Sequence, residues 1–458
     1  MDELNQPQAA AVAHVSGPLL IFAGAGSGKT RTITYRIANL LATHRVAPYR
    51  ILAVTFTNKA AGEMRARLVT LAGDAIVRDL WVGTFHSICA RLLRRYAADA
   101  GLSPNFVIYD DADQKAVMSR ILKERAIDEK VYPPRFVLSK IHAEKREARG
   151  PGESGRERGF DATLQLLYEA YERALSLANA VDFEDLLLKA MHLSEDPNAG
   201  AGRLLRERFE HVLVDEFQDT NQVQYRLVRA LSARTRNLCV VGDDDQSIYR
   251  WRGADVRIIR GFQSDFSDAM VVKLEQNYRS TANIVRAALG VIEPALQREP
   301  KELWTAEGPG AKVTVRYGQD ERDEASWVAS AIQRAKNEGF DLKELAVFYR
   351  VHAQSRVLEE ALRARSVPYQ IIGGMKFFER AEVKDIICYL RLLDNPASDA
   401  DLLRIINVPV RGIGGKTVEK VLETAQESTL SAYDAVEACL SGGELASGAK
   451  KKLAAFRD

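Results

Sequence analysis

Cysteine is scarce in this chain, and the few cysteines are widely scattered. No two of them stand at Cys-x-x-Cys spacing, so neither a zinc site nor a disulfide framework is indicated. The four are Cys89, Cys239, Cys388 and Cys439. A signal peptide and an apolar run long enough to span a bilayer are missing as well. We therefore expect a cytoplasmic protein.

An excess of one charge sign is also missing. The 64 Lys and Arg residues nearly balance the 62 Asp and Glu residues, which leaves a formal net charge of +2. Any surface that binds nucleic acid must therefore be local. Hydrophobic residues make up 46% and charged residues 28% of the chain, as in ordinary globular proteins. The 458 residues have room for about three domains of ordinary size.

The first informative segment is the run Ala23-Gly24-Ala25-Gly26-Ser27-Gly28-Lys29-Thr30. It follows an apolar run at 18–22 and precedes a helix-like stretch at 32–41, the strand–loop–helix context of a P-loop. Such glycines let backbone N–H groups close around phosphate oxygens at a helix N-terminus. Lys29 would reach the β- and γ-phosphates, and the Thr30 hydroxyl would bind Mg²⁺. The strict pattern has Gly at position 23, where this chain has Ala, and a purely structural turn is the alternative.

A second segment, 214–219, places two carboxylates at the end of another apolar run, 211–214. Asp215 suits the shell of a metal ion, and Glu216 suits positioning and deprotonating an attacking water. Together with the Gly-rich loop, this pair predicts the site of a nucleotide-driven motor.

The apolar runs that alternate with helical stretches predict an α/β fold. The first series is 19–23, 51–56, 81–84, 212–215, 238–242 and 271–274. Its runs are nearly continuous in apolar residues rather than alternating, as in buried parallel strands. A second series is 312–317, 345–349 and 369–372, separated by helix-like stretches at 321–336 and 353–365. Helical periodicity dominates the remaining two regions, from about 88 to 206 and from about 374 onward.

Polar and aromatic side chains follow several predicted strands. The segments 54–61 and 82–87 offer hydroxyl, amide, basic and aromatic groups that suit phosphate contacts and base stacking, with helix capping as the alternative. In the segment 240–254, Gln246 suits sensing the γ-phosphate or holding the water. Tyr249 and Trp251 alternate there with arginines, the composition of a stacking platform for unpaired bases. The alternative is that both are core aromatics.

These segments occur in the order seen in UvrD/Rep/PcrA-type superfamily 1 DNA helicases, which the chain resembles over essentially its whole length, most closely the UvrD/PcrA group. The resemblance rests on Gln8, on GAGSGKT, FTNKAA, GTFHS, VDEFQD and VVGDDDQSIYRWRGA, and on 274–280. It implies two RecA-like P-loop motor domains, each with a helical insertion. The motor domains would be 1–88 with 206–275, and 276–373. The insertions would be 89–205 and 374–458.

The resemblance also implies an ATP site between the motor domains. Adenine would lie between Arg31 and Tyr278 with Gln8 on its edge, although a helix-cap role is the alternative for Gln8. The phosphates would lie on Gly24, Ala25, Gly26, Ser27 and Gly28. Arg279 would reach the γ-phosphate from the facing domain, a contribution of about 10³–10⁵ in rate; an interface salt bridge is its alternative. Lys29, Asp215, Glu216, Gln246 and Arg279 would be catalytic.

Single-stranded DNA would follow a track that the resemblance also places. Its residues would be Phe56, Asn58, Lys59, Thr84, His86, Tyr249, Trp251, Arg252 and Arg350. His352 stands where the family has Asn. The segment 407–417 resembles the Gly-Ile-Gly turn that binds duplex, with Gly412 and Gly414 donating N–H groups to a phosphate.

The function implied is an ATP- and Mg²⁺-dependent 3′→5′ DNA helicase or single-strand translocase in DNA repair. Its partners would be single-stranded DNA, single-strand/duplex junctions and DNA repair proteins. Two alternatives stay open, a DNA-stimulated ATPase that displaces proteins from DNA and a module that only binds DNA and nucleotide. A Thr-x-His-x-x-Lys-Gly-Leu-Glu stretch of the family does not occur in the chain, so we expect the chain to bind DNA and nucleotide without unwinding.

Overall fold

The structure is a computed structural model, and it describes residues 4–153, 160–196, 200–295, 298–372, 381–428, 430–443 and 445–457. The chain divides into two compact units. One comprises Met1–Gly310 with Asp385–Asp458, and the other is Ala311–Lys384. The domain boundaries expected from the family resemblance differ from this division and stay a prediction, and the boundary at 373 and 374 lies outside the described residues.

The described strands are ten, and six of them form one parallel sheet in the first unit. They are β1 (Leu19–Ala23), β2 (Ile51–Thr55), β3 (Trp81–Thr84), β4 (Val107–Ile108), β5 (Ala180–Val181), β6 (His211–Val214), β7 (Leu238–Gly242), β8 (Met270–Leu274), β9 (Gln276–Asn277) and β10 (Trp304–Thr305). The large sheet has the order β3-β2-β6-β7-β1-β8. The first predicted series of strands is therefore confirmed to within a residue or two at each end.

The helices of the first unit flank the sheet and continue into two helical regions. They are α1 (Gln6–Ala13), α2 (Lys29–Ala42), α3 (Asn58–Ala72), α4 (Asp74–Val77), α5 (Phe85–Arg95), α6 (Asp111–Glu124), α7 (Pro134–Arg146), α8 (Ala162–Leu177), α9 (Phe183–Glu195), α10 (Gly200–Arg208), α11 (Gln222–Ser232), α12 (Val256–Asp265), α13 (Ala282–Ile292), α16 (Ala381–Asp394), α17 (Asp399–Ile405), α18 (Gly415–Ser428), α19 (Ala432–Ser441) and α20 (Ser447–Arg457). The second unit contributes α14 (Glu321–Asn337) and α15 (Ser355–Ala364), and it includes the first residues of α16, up to Lys384.

Both faces of the large sheet are covered, which explains why its strands are continuous apolar runs. One face packs on α5, α9, α11 and α12, and the other packs on α2 and α3. Every residue of β1, β2, β3, β6 and β7 is buried. Since all six strands are parallel, their carboxyl ends meet at one edge. The loops that carry the sequence motifs therefore collect there.

The two remaining regions of the first unit are helical, as predicted. Helices α6, α7 and α8 enclose a core of their own, and α16 to α20 enclose another. All four cysteines are buried thiols, which fits their interpretation as small core residues. Within the described ranges, none of the helices has the length and apolar character needed to cross a membrane.

The second unit departs from the sequence prediction. Its helices α14 and α15 lie where they were expected, but the described backbone forms no strand at 312–317, 345–349 or 369–372. A strand requires ladder hydrogen bonds to a neighbouring strand, and these segments make none with one another. Their apolar side chains are correspondingly exposed, Tyr317 and Phe348 to 92% and 93%. The three predicted strands are therefore wrong for this structure, while the α/β class of the chain is confirmed.

Candidate functional site

The Gly-rich segment forms a tight loop between β1 and α2. Gly26 and Gly28 have φ values of 70° and 85°, a backbone region that favours glycine. A Cβ on Gly26 would lie 2.6 Å from Asn277 Nδ2, and one on Gly28 would lie 2.9 Å from Gln8 Nε2. The loop is closed internally by Ser27, whose hydroxyl donates to the Gly24 carbonyl at 2.7 Å. The backbone is thus arranged as a cradle at the start of a helix, as the sequence predicts.

The two predicted carboxylates face this cradle from the end of β6. Asp215 Oδ2 accepts from the Thr30 hydroxyl at 3.4 Å, and Glu216 Oε2 lies 3.5 Å from Lys29 Nζ. Burial, then the neighbouring Glu216 charge, raises the pKa of Asp215 to about 6. A hydroxyl and a carboxylate oxygen are ligands that Mg²⁺ prefers. The residues present therefore fit a Mg²⁺–phosphate group.

Glu216 is held in an unusual conformation. Its φ is 52°. A non-glycine residue in that backbone region carries a strain of about 1–3 kcal/mol, and residues strained in this way cluster at functional sites. Gln218 Nε2 donates to Glu216 Oε2 at 3.0 Å and fixes the direction of the carboxylate. Nearby, burial and the charge of Glu216 raise the pKa of Asp219 to about 7. Asp219 is thus a second carboxyl group, beside Asp215, whose pKa is raised, and the sequence did not predict a role for it.

Gln8 makes contacts that support its capping alternative. Its side-chain oxygen accepts from the Asn5 N–H at 3.1 Å, while Asn5 caps α1 in return. Its Nε2 donates to the Ser27 carbonyl at 2.9 Å, which fixes α1 to the Gly-rich loop. Asn5 Nδ2 also donates to the Tyr278 hydroxyl at 2.8 Å. The predicted contact of Gln8 with adenine stays a prediction.

The segment after β8 lies across the Gly-rich loop. Asn277 Nδ2 donates to the Ala25 carbonyl at 2.6 Å, and the Tyr278 N–H donates to the Gly26 carbonyl at 3.0 Å. These bonds place Arg279 with its Cβ close to Gly26. Arg279 therefore belongs to the same compact unit as the Gly-rich loop. Asn277 is a positioning residue that the sequence reasoning missed, because the contact joins residues 252 positions apart.

A cleft of about 350 Å³ brings together most of the predicted nucleotide residues, but its lining does not include Gln8, Gly24, Ala25 or Asp215. Its lining is Gly26, Ser27, Gly28, Lys29, Thr30, Arg31, Arg67, Glu216, Gln246, Tyr278 and Arg279. Arg31 and Tyr278, the predicted adenine neighbours, are both members. Arg67, on α3, is a cation that the sequence reasoning missed. Arg67 could have been predicted from its position on α3, the helix that follows β2. This helix begins at the same edge of the sheet as the other loops of the site.

Gln246 reaches the cleft from the loop after β7. The loop forms a short helical turn at Asp244–Gln246, and the Gln246 Nε2 donates to the Asp243 carboxylate. Further along the same loop, Tyr249 stacks on Phe56 with ring centroids 5.2 Å apart at an interplanar angle of 29°. The ring centroid of Trp251 lies 6.4 Å from that of Tyr249, and Trp251 is 63% exposed. Trp251 is therefore not a core residue.

The remaining predicted DNA contacts of the first unit lie at the starts of α3 and α5. Asn58 and Lys59 are exposed on the first turn of α3. Thr84 is buried and caps α5 by accepting from the Ser87 N–H at 3.3 Å, as its capping alternative requires. Burial lowers the pKa of the His86 ring below its ordinary value. The side chain of Arg252 lies outside the described part of the structure.

Phe183 extends the aromatic surface and was missed. It opens α9, is 43% exposed, and meets His86 edge to face with centroids 6.0 Å apart. An exposed aromatic at a helix start is the signal that points to it. In the second unit, Arg350 is exposed, and its N–H donates to Gln354 Oε1 at 3.0 Å.

The Gly-Ile-Gly turn opens a helix, as predicted. Gly412 has a φ of 68°, Gly414 is exposed, and α18 begins at the next residue. Asn407 holds the turn on both sides, donating to the Ile413 carbonyl at 2.7 Å and accepting from the Ile413 N–H at 3.0 Å.

Family models match the two parts of the chain in order. The UvrD/REP helicase N-terminal domain matches residues 4–267, and the UvrD-like helicase C-terminal domain matches residues 272–440. The chain belongs to the UvrD/REP helicase family. The resemblance inferred from the ordered motifs is thereby confirmed.

Relatives in two staphylococci are named ATP-dependent DNA helicase PcrA. The protein from Staphylococcus epidermidis is 45% identical over 435 residues, which cover 94% of this chain and 59% of the relative. The protein from Staphylococcus aureus is 45% identical over 439 residues, which cover 95% of this chain and 60% of the relative. The chain thus spans about three-fifths of the length of these relatives.

Proposed function

We propose that this chain is the motor of an ATP-dependent DNA helicase, which couples hydrolysis of Mg²⁺–ATP to movement along single-stranded DNA. The observation that carries the proposal is the loop after β7. It carries Gln246 in the nucleotide cleft and, further along, Tyr249 and Trp251. Tyr249 stacks on Phe56, and the exposed Trp251 follows it; we call these three rings the aromatic row. Only four residues separate Gln246 from Trp251, so we infer that a shift of Gln246 when the γ-phosphate leaves moves Trp251 as well.

The nucleotide half of the mechanism follows from the cleft. The N–H groups of the Gly-rich loop and Lys29 bind the phosphates, and the lysine contact strengthens as charge develops on the transferred group. Thr30 and Asp215 would hold Mg²⁺, which supplies positive charge between the phosphate oxygens. Glu216 orients the attacking water and accepts its proton, with Gln218 fixing the carboxylate. Arg31 and Tyr278 hold the base, and Arg279 meets the γ-phosphate.

The DNA half rests on stacking and backbone contacts. Unpaired bases stack on Phe56, Tyr249 and Trp251, each base contributing about 1–3 kcal/mol without reading sequence. Phe183 and His86 extend this surface, and Lys59 supplies a phosphate contact. Arg350 adds a phosphate contact from the second unit. The Gly412–Gly414 turn at the start of α18 binds the duplex ahead of the single strand.

The polarity, the setting and the partners belong to the same proposal. We infer 3′→5′ movement from the family, with single-strand/duplex junctions as the substrate, repair proteins as partners and a cytoplasmic location. The runner-up is a DNA-stimulated ATPase that displaces bound proteins. The exposed aromatic row supports both, because either activity requires a grip on single-stranded DNA.

The test has two parts on the same purified chain. Phosphate release is measured with and without poly-dT, and strand separation is measured on a duplex with a 3′ tail and on the same duplex with a 5′ tail. We expect poly-dT to stimulate hydrolysis. Faster separation of the 3′-tailed duplex would support the helicase and contradict the expectation that this chain binds DNA without unwinding it. Stimulated hydrolysis without separation of either duplex agrees with that expectation and with the protein-displacing ATPase. Hydrolysis that ignores DNA overturns the proposed coupling.

A further inference from the structure

A short segment after α13 touches two separate parts of the nucleotide site. We name residues 298–305 the strap. Its end pairs with the strand that follows β8, Trp304 opposite Gln276 in the β9–β10 pair. Lys273 Nζ also donates to the Pro300 carbonyl at 2.9 Å. The strap is therefore fixed to the sheet beside Tyr278 and Arg279.

The strap places one ammonium group among three consecutive carboxylates. Lys301 Nζ contacts Asp243 Oδ1, lies 2.7 Å from Asp244 Oδ1 and lies 3.2 Å from Asp245 Oδ2. The lysine side chain is only 1% exposed, and those of Asp243 and Asp244 are 3% and 0% exposed. A buried charge of this kind persists only when it is paired.

The charges of this cluster balance without a metal ion. Arg260 pairs with Asp244 at 3.0 Å, Arg298 pairs with Asp245 at 2.9 Å, and Lys301 pairs with Asp243. Although burial opposes it, hydrogen bonds from Lys301 and neighbouring groups hold the pKa of Asp244 below its ordinary value. Three adjacent carboxylates resemble a cation site in sequence, and in the structure the strap supplies the cation.

The cluster is connected directly to Gln246. Asp243 uses one carboxylate oxygen for Lys301 and the other for the Gln246 side chain, and its carbonyl accepts from the Gln246 N–H at 2.9 Å. On the other side, the Asp243 N–H donates to Gln218 Oε1 at 3.0 Å, and Gln218 orients Glu216. Asp243 therefore supports two residues of the site, Gln246 directly and Glu216 through Gln218.

The same strap supports the Gly-rich loop. A Cβ on Gly24 would lie 2.1 Å from Leu303 Cδ2, so the leucine packs directly on the loop backbone. Leu303 and Lys301 are two residues apart, and they contact the Gly-rich loop and the loop that carries Gln246, respectively. A displacement of the strap would thus move the Gly-rich loop and the Gln246 loop together.

We propose that Lys301 is a positioning residue for ATP hydrolysis, which holds Gln246 in the cleft by pairing with Asp243. This inference rests on the proposed function of the cleft. In Lys301→Met, Asp243 loses its cation and Gln246 loses its fixed anchor, while the Gly-rich loop that binds the phosphates is retained. A displacement of about 1 Å costs about 10² in rate. We therefore expect kcat to fall about 10–100-fold, with KM for ATP changed less than about 3-fold.

The kinetic test is a double-mutant cycle with a matched control. The variants are Lys301→Met, Lys301→Arg, Gln246→Ala and the double variant Lys301→Met with Gln246→Ala. Lys301→Arg keeps the cation and should restore most of kcat. If Lys301 acts through Gln246, Lys301→Met should have little further effect once Gln246 is gone. The control, Lys123→Met, removes an exposed lysine that pairs with Glu419, away from the strap and the aspartates, and should leave kcat unchanged.

A second readout does not depend on catalysis. Hydrogen exchange of the peptide 240–249 is measured in the wild type, Lys301→Met and Lys123→Met, and only Lys301→Met should exchange faster. If Lys301→Met does not unfold cooperatively, and is therefore not properly folded, Lys301→Gln takes its place in both experiments. Equal protection in all three proteins, or losses that multiply fully in the double variant, would overturn the role of Lys301. A wild type without ATP hydrolysis would instead overturn the proposed function, and the exchange experiment would still decide the role of Lys301.

Discussion

Val240 and Val315 both lie in segments that the sequence predicts as strands, 238–242 and 312–317, and they meet opposite environments. Val240 lies in β7 between two parallel neighbours and is fully buried. Val315 lies in the second unit and is 75% exposed. The difference shows that an apolar run specifies a strand only where other segments supply both ladder partners and a covering layer. The preference of a residue for strands is largely a preference for that setting.

The two units also differ in what their loops hold. In the first unit, parallel strands bring loops from distant parts of the sequence to one edge, where Lys29, Asp215 and Gln246 line one site. In the second unit, the corresponding segments are not fixed by a ladder, and Arg350 stands on an exposed bend. The chemistry of the chain should therefore be far more sensitive to changes at the strand ends of the first unit than to changes in the second.

The largest effect is expected for Lys29→Ala. Hydrolysis of ATP should fall by several orders of magnitude, since the lost contact strengthens in the transition state. DNA binding without nucleotide should persist. Phosphate release and fluorescence anisotropy measure the two quantities. The matched control in the second unit is Lys343→Ala, an exposed lysine paired with Asp341, which should change neither. Appreciable DNA-stimulated turnover in Lys29→Ala would refute the site.

Glu216→Gln should separate binding from chemistry. The amide has the shape of the carboxylate but is not a base, so hydrolysis should fall about 10²–10⁴-fold while Mg²⁺–ATP binding persists. A nucleotide titration beside a phosphate-release assay shows the difference. Glu360→Gln, an exposed glutamate of the second unit, serves as the control. Parallel loss of binding and hydrolysis would mean that Glu216 is structural.

Trp251→Ala should weaken binding to a short single strand by about 1–3 kcal/mol, with little dependence on base sequence. Anisotropy on poly-dT and on a mixed oligonucleotide measures it. Tyr317→Ala removes an aromatic that is even more exposed, at 92%, but lies in the second unit, and should leave affinity within about two-fold. Equal losses in both variants would remove the distinction between the aromatic row and ordinary exposed rings.

The comparison itself is tested by one substitution made twice. Val240→Ala should destabilise the protein by about 1–3 kcal/mol, because it removes buried methyl groups and leaves a cavity. Val315→Ala should change stability by less than about 0.5 kcal/mol. Urea unfolding gives both values. A similar cost at the two positions would show that the 312–317 segment is buried in solution and forms a strand after all.

Sequence alone determined the parts of this protein that depend on neighbours along the chain. The Gly-rich loop, the Asp215–Glu216 pair and the six strands of the sheet are local patterns, and a buried parallel strand has a continuous apolar signature. Because the carboxyl ends of parallel strands meet at one edge of the sheet, the sequence also predicts that those loops lie close together. The ordered motifs added the family, which the family models confirm.

Contacts between segments that are distant in sequence depend on the folded arrangement, because no motif spacing encodes them. Asn277 on the Ala25 carbonyl, Leu303 on Gly24 and Lys301 among three aspartates join segments that are far apart in sequence. Each depends on the path of the chain after β8, which local propensity does not fix. For the same reason the sequence overpredicted strands at 312–317, 345–349 and 369–372. Their composition favours a strand, but hydrogen bonding to a neighbour is a property of the assembled fold.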